Sequence, residues 1–312
     1  MRSNINFAVT VLAAASVGLA ACSSSASNSS RSSSRVDHPA SSSPGSLVVG
    51  SAGFPESELL ADIYADALSA RGVQITKKLN IGERSVYFKA LQDGSITFFP
   101  EYNGSLLYYL DPKATAKSTA DVDTAIIKAL GTKLTALKSA VAQDTDTITV
   151  SRVTAARYHL VSIGDLASVA GNLTVGGPAA FKSRPDGLPA LKSAYNVTFG
   201  KFVATSAGGT VTVTSLKNGT IDAADIFSTD PSIAANNFVA LNDPKNMFAA
   251  QNITPIVANA HNNPTITSTA NAVSAKLDTR TLARLLGNVS GGQSADKVAR
   301  AWLVSVGLGA GQ

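Results

Sequence analysis

An internal echo constrains this chain more than any other feature of its sequence. Leu91, Gly94, Ile96 and Tyr102 return as Leu216, Gly219, Ile221 and Phe227, each pair 125 positions apart. Leu47-Val48-Val49-Gly50-Ser51 returns as Leu173-Thr174-Val175-Gly176-Gly177 at an offset of 126. Each copy reads as a strand ending in small residues, then a helix stopped by glycine, then a second strand running into a loop that carries one aromatic ring. In the first copy that loop is Pro100-Glu101-Tyr102-Asn103-Gly104-Ser105. Two similar lobes, each offering one ring, predict a cleft between them, with Tyr102 and Phe227 on opposite walls.

The first 45 residues stand outside this pattern. Residues 1–21 read as a secretory signal: Arg2 supplies a minimal positive start, and the apolar stretch Phe7 to Ala20 is shorter than the roughly 20 residues a membrane span requires. Leu19-Ala20-Ala21-Cys22 resembles the bacterial lipobox, in which the cysteine is lipidated and becomes the first residue of the mature protein. Cys22 is the only cysteine, so no intramolecular disulfide, cysteine metal cluster or CxxC redox pair is available. Residues 22–45 are dominated by serine, cannot bury apolar surface, and read as a tether with a reach of roughly 25 to 30 Å.

What remains is long enough for about two domains with ample core. Basic residues exceed acidic ones by 26 to 21, but they are scattered, and only Lys77-Lys78 are adjacent. No basic stripe points to nucleic acid. No GxSxG elbow, P-loop or HExxH occurs, and Gly307-Leu308-Gly309-Ala310-Gly311 has no helix to follow, so the chain is not read as an enzyme and no cofactor is expected. His159 and His261 lack metal-ligand spacing and read as structural, and Trp302 as core. Tyr108 and Tyr109, on a helix beside the loop, also read as core.

Strand and helix alternate, which predicts an α/β fold with mostly parallel sheets. In the first lobe the expected strands are Leu47–Gly50, Val73–Leu79 and Ile96–Phe99. They are separated by a helix from Glu56 to Gly72, with apolar residues at Leu59, Leu60, Ile63, Tyr64, Ala67 and Leu68, and by a second from Arg84 to Asp93. A longer helix over 121–137 and a strand over 147–153 lead to a crossing near Thr154. The second lobe is expected to begin with Tyr158–Val161 and to hold strands at Leu173–Val175, Lys201–Ala204 and Ile221–Phe227, a helix at Thr210–Asn218, and a capping box at Ser162 and Asp165. Glu101 and Asp230 read as backbone-binding or helix-capping carboxylates. The chain then returns through Ile253–Val257 and ends in helices near Thr279–Leu286 and Ser294–Val304, docked on the first lobe.

Four segments, Gly53-Phe54-Pro55-Glu56, Phe99-Pro100-Glu101-Tyr102-Asn103-Gly104-Ser105, Arg184-Pro185-Asp186-Gly187-Leu188-Pro189 and Phe227-Ser228-Thr229-Asp230, occur in this order. With them the chain from about Leu47 to Val304 resembles the substrate-binding proteins of osmoprotectant ABC importers, which bind glycine betaine, choline, carnitine or proline. The resemblance implies a type II periplasmic-binding-protein fold: residues 46–154 and 256–312 forming one lobe, 155–255 the other, with a ligand in the cleft and hinge closure. It also implies ABC permease and ATPase partners, an extracytoplasmic location on the membrane and a monomeric receptor.

By the same resemblance Tyr102 and Tyr158 are ring donors, Ser105 a nearby hydroxyl and Arg184 the carboxylate binder. A quaternary ammonium has no hydrogen to donate, so it is held by ring faces worth about 1 to 2 kcal/mol each when desolvated, while an arginine takes a carboxylate bidentately. Three positions depart from the family's pattern. Phe227 stands where tyrosine is usual, Gln251 where the family supplies another ring, and Ala52 where lysine is frequent. These changes leave room for a different ligand, such as a hydroxylated, polyphenol-like aromatic, and a non-transport adhesion or signalling role is a third reading. The lipobox gives a first prediction: Cys22→Ala moves the protein from the detergent phase to the aqueous phase on Triton X-114 partitioning, and its retention in the detergent phase would contradict lipidation.

Overall fold

The computed structural model describes residues Ser46 to Ala310, and the signal, tether and Cys22 lie outside the described residues. The first strand, β1 (Ser46–Gly50), leads into α1 (Pro55–Ser69), β2 (Gln74–Lys78), α2 (Arg84–Asp93) and β3 (Phe98–Tyr102), and then into α3 (Asn103–Leu110), α4 (Thr119–Ala129) and β4 (Leu134–Ala136). There follow β5 (Asp146–Val150), α5 (Arg152–Tyr158), β6 (Thr174–Gly177), α6 (Leu188–Tyr195), β7 (Lys201–Ala204), α7 (Gly209–Lys217), β8 (Ala223–Phe227), α8 (Pro231–Ala235) and β9 (Val239–Ala240). The chain closes with β10 (Ile253–Ala258), α9 (Pro264–Lys276), α10 (Thr279–Ser290) and α11 (Ala295–Ser305).

The strands form two five-stranded sheets of the same design, ordered β2-β1-β3-β10-β4 and β7-β6-β8-β5-β9. In each, the first three strands are parallel, and the fourth, β10 or β5, runs antiparallel to its neighbour. The sequence echo is therefore a topological one. Tyr102 ends β3 and Phe227 ends β8, and the glycines behind them, Gly94 and Gly219, both take positive φ (82° and 77°) where a helix must turn into a strand.

Apolar patterning explains how each sheet is covered. In α1, Leu59, Leu60, Ile63, Tyr64 and Leu68 are all fully buried, as expected of a helix that is apolar on several faces and packed between sheet and helices. It packs among α9, α10 and α11 on one face of the first sheet, together with Trp302, and the Tyr64 hydroxyl is hydrogen-bonded to Ser274 at 2.9 Å. Helices α2, α3 and α4 cover the other face. The second sheet has its own core around Ile148, Leu166, Val175, Phe181 and Leu191. The Ser162–Asp165 capping box forms, and Asp230 caps α8 by accepting from Ser232 N.

Several expectations are corrected. The helix over 121–137 stops at Ala129, because Gly131 adopts φ 70° and Leu134–Ala136 then pairs with β10. Tyr158–Val161 does not open the second sheet, which already holds β5: Tyr158 ends α5, and His159 turns the chain at φ 55°. Tyr108 and Tyr109 are exposed rather than core, because α3 buries Leu106 and Leu107 instead. The first crossing between sheets falls between Ala136 and Asp146, earlier than Thr154, since Asp146–Val150 pairs with all of β8. Residues 146–154 thus lie with the second sheet. The return crossing falls between Ala240 and Ile253, which places Ile253–Pro255 in the first sheet.

Where the crossings meet the first sheet, the chain is tied by a reciprocal pair. Asn103 N donates to Asn252 O at 3.1 Å, Asn252 N donates to Asn103 Oδ1 at 2.8 Å, and Gly104 packs beneath Ala250. A methyl group at position 104 would collide with the Ala250 carbonyl oxygen. Gly104→Ala is expected to destabilise the protein by about 1 to 3 kcal/mol, read as a lowered urea midpoint, with an unchanged midpoint counting against this packing.

Candidate functional site

A cavity of about 370 Å³ lies where the strand ends of the two sheets face each other. The first sheet contributes Tyr102 from β3, Ser105 from the first turn of α3, Arg84 from the start of α2, and Phe54 from the turn before α1. The second contributes Phe227 from β8, Asp146 from β5, and Arg184 and Asp186 from the loop before α6. The crossings supply Asp144, Thr145, Phe248, Ala249 and Gln251. A second cavity of about 600 Å³ shares Phe54, Asp144 and Phe227 with the first and extends over Glu56, Thr229 and Leu286.

Five of the expected residues meet here: Tyr102, Ser105, Arg184, Phe227 and Gln251. Two do not line this cavity. Ala52 is buried in the first sheet's core, and Tyr158 packs on the second sheet's core with the Arg157 guanidinium 5.1 Å from its ring centre. The rings differ in role. Phe54 and Phe227 leave 41% and 40% of their surface open, whereas Tyr102 is buried, tilted against Phe54 at 6.1 Å between ring centres. Gln251 is turned toward the protein, its Oε1 accepting from Ser105 N at 2.9 Å.

Carboxyl groups dominate the polar lining, which the sequence reading missed. The Arg184 guanidinium faces three of them: Nη2 lies 2.8 Å from Asp146 Oδ2 and 3.5 Å from Asp225 Oδ2, and Nε lies 3.2 Å from Asp186 Oδ1. Burial first, and then the neighbouring Asp146, push Asp225 up to about 8. Arg84, by contrast, has one carboxylate partner, Glu101, to which it donates from Nε at 3.1 Å and Nη2 at 3.0 Å. The sequence cue to this set is the close spacing of Asp144 and Asp146, whose carboxyl groups take different partners, the Thr229 hydroxyl and the Arg184 guanidinium.

On that crossing, the Tyr102 hydroxyl donates to Glu56 Oε1 at 2.7 Å, and the Thr229 hydroxyl donates to Asp144 Oδ1 at 2.7 Å. Glu56 Oε2 is buried without a partner. Burial pushes Glu56 up to about 8 from an ordinary 4.5; Asp144 adds to the rise, while the Thr229 and Tyr102 hydroxyls oppose it. Asp144 is pushed up to about 6, again mainly by burial.

The comparison that decides the family is a match over residues 45–305 to the substrate-binding domain of the ABC-type glycine betaine transport system. The chain belongs to that family. Its members are transporter components and not a class of enzymes; they bind small ligands outside the cytoplasm and act with a permease. The chain is 29% identical over 274 residues to the glycine betaine-binding protein YehZ of Escherichia coli K12, covering 83% of this chain and 90% of that one. The structure of apo YehZ superposes with a TM-score of 0.75 at 28% identity, covering 85% of this chain and 99% of the other. A crystal structure described as a glycine betaine/carnitine/choline ABC transporter gives a TM-score of 0.78 at 24% identity, over 84% and 99% of the two chains. The fold is that of the type II periplasmic binding proteins.

Glu56 generates a pH prediction. A carboxyl group whose folded-state pKa is raised stabilises the fold fully below its unfolded value and loses that contribution as pH rises through the folded one. Stability should therefore fall between about pH 4.5 and 8. In Glu56→Gln, which keeps the acceptor for Tyr102, the fall should be shallower, leaving the variant more stable than wild type at pH 8.5 by on the order of 2 kcal/mol. Melting curves of both proteins across this range provide the check, and parallel profiles would refute it.

Proposed function

We propose that this chain is the lipid-anchored receptor of an ABC importer, closing on a compatible solute such as glycine betaine or choline and presenting it to the permease and its ATPase. One observation carries the reading: Tyr102 and Phe227, at equivalent ends of β3 and β8, line the same cavity. With Phe54 they offer three rings beside an acidic wall, a setting in which a quaternary ammonium is held by ring faces and carboxylate charge without donating a hydrogen bond. Cys22 anchors the receptor through its lipid, and it acts as a monomer. The names of the relatives support the ligand class: YehZ is a glycine betaine-binding protein, and OpuCC of Listeria monocytogenes, 24% identical over 251 residues, is a carnitine transport binding protein.

A second ligand reading is favoured by Gln251. It caps α3 where a further ring would otherwise narrow the site, and the adjoining cavity of about 600 Å³ reaches past Phe54 and Phe227. A larger, flat, hydroxylated aromatic finds space there. Calorimetric titration with glycine betaine, choline and a panel of hydroxylated aromatics separates the two. Glycine betaine or choline should bind, and Phe227→Ala should weaken that binding about five- to thirty-fold, the value of one lost ring face of 1 to 2 kcal/mol. Binding of aromatics alone would reject the osmoprotectant assignment and leave the receptor role standing.

A further inference from the structure

Each crossing between the sheets is pinned on both sides, and the pins locate the pivot. In the first crossing, Gln143 N donates to the Thr279 hydroxyl of α10 at 3.0 Å, which ties it to the first lobe. Thr145 N donates to the Ser228 hydroxyl just beyond β8 at 3.0 Å, which ties it to the second. Asp144 lies between these anchorages. In the return crossing, Phe248 N is held by Asp243 Oδ2 and Ala250 N by the Lys117 carbonyl, leaving Ala249 between. Rotation of one lobe against the other is absorbed at such short stretches.

The carboxyl group at this pivot meets a second one. Asp144 Oδ1 accepts from the Thr229 hydroxyl of the second lobe at 2.7 Å, and the same hydroxyl is within reach of Glu56, at the start of α1 in the first lobe. One hydroxyl proton cannot serve two carboxyl groups, and Glu56 Oε2 is left buried without a partner. The junction is closed over: Glu56 and Thr229 are 4% and 2% exposed, and a Cβ on Gly287 of α10 would stand 3.4 Å from the Pro231 Cβ of α8. The other titratable groups facing the pair are Tyr102 from β3, Asp146 from β5 and Asp230 at the start of α8. No lysine or arginine lines the cavity over the pair among the described residues, and Arg84 and Arg184 are ion-paired to Glu101 and to Asp146, Asp186 and Asp225. Two carboxylates confined here without a cation repel, and one proton removes the like charge.

We propose that Glu56 and Asp144 form a proton-operated latch at the pivot: one proton on the pair holds the lobes as they stand here, with Tyr102 and Phe227 on one cavity, and its loss drives rotation about Asp144 and Ala249 that hydrates both carboxylates and opens the cavity. The proton passes to water on opening, and ligand binding, which needs the joined arrangement, takes one up again. The inference rests on the receptor reading above for its ligand, and on the pinned crossings for its motion. Burial raises Glu56 to about 8 in the joined arrangement, and hydration returns it toward an ordinary 4.5. A group raised in this way favours the joined arrangement fully below the lower value and loses that preference as pH rises through the higher one. Affinity should therefore fall with rising pH. Direct charge has the opposite sign for a cation, since ionising Glu56, Asp144 or Asp225 beside the cavity would tighten its binding.

The test titrates choline and glycine betaine calorimetrically between about pH 5.5 and 8.5 into wild type, Glu56→Gln and Asp144→Asn, and follows the ligand-free proteins by small-angle X-ray scattering over the same range. Neither ligand changes charge there. In wild type both affinities should fall about tenfold or more, and the radius of gyration of the free protein should rise. Glu56→Gln, which keeps an acceptor for the Tyr102 hydroxyl and cannot ionise, should give flat profiles in both measurements. Asp144→Asn removes the like charge, so Glu56 ionises more readily and the midpoint of the fall should move to lower pH; it carries the test if Glu56→Gln fails to fold. A choline affinity that stays level or rises with pH in wild type, an equal fall in Glu56→Gln, an unmoved midpoint in Asp144→Asn, or an unchanged radius of gyration overturns the latch. If wild type binds neither ligand at any pH, the ligand reading fails, and the scattering profiles alone decide the latch.

Discussion

Glu101 is the interaction on which the rest of the site depends. It is a fully buried carboxylate at the end of β3, and every hydrogen bond it accepts comes from a group that shapes the cavity: the Arg84 guanidinium twice, the Tyr87 hydroxyl and the Tyr102 amide. A charge so placed is tolerated only when it is paired and its lone pairs are filled. That requirement fixes the start of α2 against the end of β3. Tyr87 in turn stacks on Phe99 at 4.1 Å, which ties the polar cluster to the first sheet's core. The wall is therefore rigid for a reason that has nothing to do with any ligand.

The opposite wall is built on the contrary principle. Asp146 and Asp225 crowd one arginine, and buried oxygens on both have no partner in the fold. Glu56 and Asp144 meet at the crossing in a similar way, with one Glu56 oxygen left over. Buried groups without partners are normally costly. Their concentration around one cavity is what distinguishes this region from the two well-satisfied cores beside it.

Much of the scaffold was legible in the sequence because its signals are local. Glycines at 94 and 219 mark helix ends, the apolar positions of α1 repeat at helical spacing, and the ring at the end of each third strand stands out against small neighbours. What escaped was short or non-local. Strands β4 and β9 have three and two residues, too few to show alternation. Helix α9 is rich in threonine, serine and alanine, so its buried face, with Ile266, Ala270 and Val273, hardly differs in hydropathy from its open one. Tyr102 and Phe227 came from the internal echo and Ser105, Arg184 and Gln251 from motif resemblance, whereas Arg84 and Asp146 matter only through partners 17 and about 40 to 80 positions away, a pairing no window of sequence displays. Tyr158 and Ala52 mark the opposite limit, since a motif position carries over only where the local chain path does, and here α5 holds Tyr158 against its own core.

The two sheets share one design, yet they are not equally easy to complete. The second is drawn from a continuous stretch, Asp146 to Ala240, whereas the first has β10 between β3 and β4, supplied only after the whole of the second has been passed. Bringing Ile253–Ala258 to Phe98–Tyr102 closes a loop of about 150 residues, and the entropy of that closure shrinks once the intervening segment has become compact. Until then the inner edge of β3 is an open ladder of hydrogen-bonding groups, able to pair with any extended chain that reaches it. Connectivity alone makes the lobe that carries both chain ends dependent, in assembly, on the lobe inserted within it.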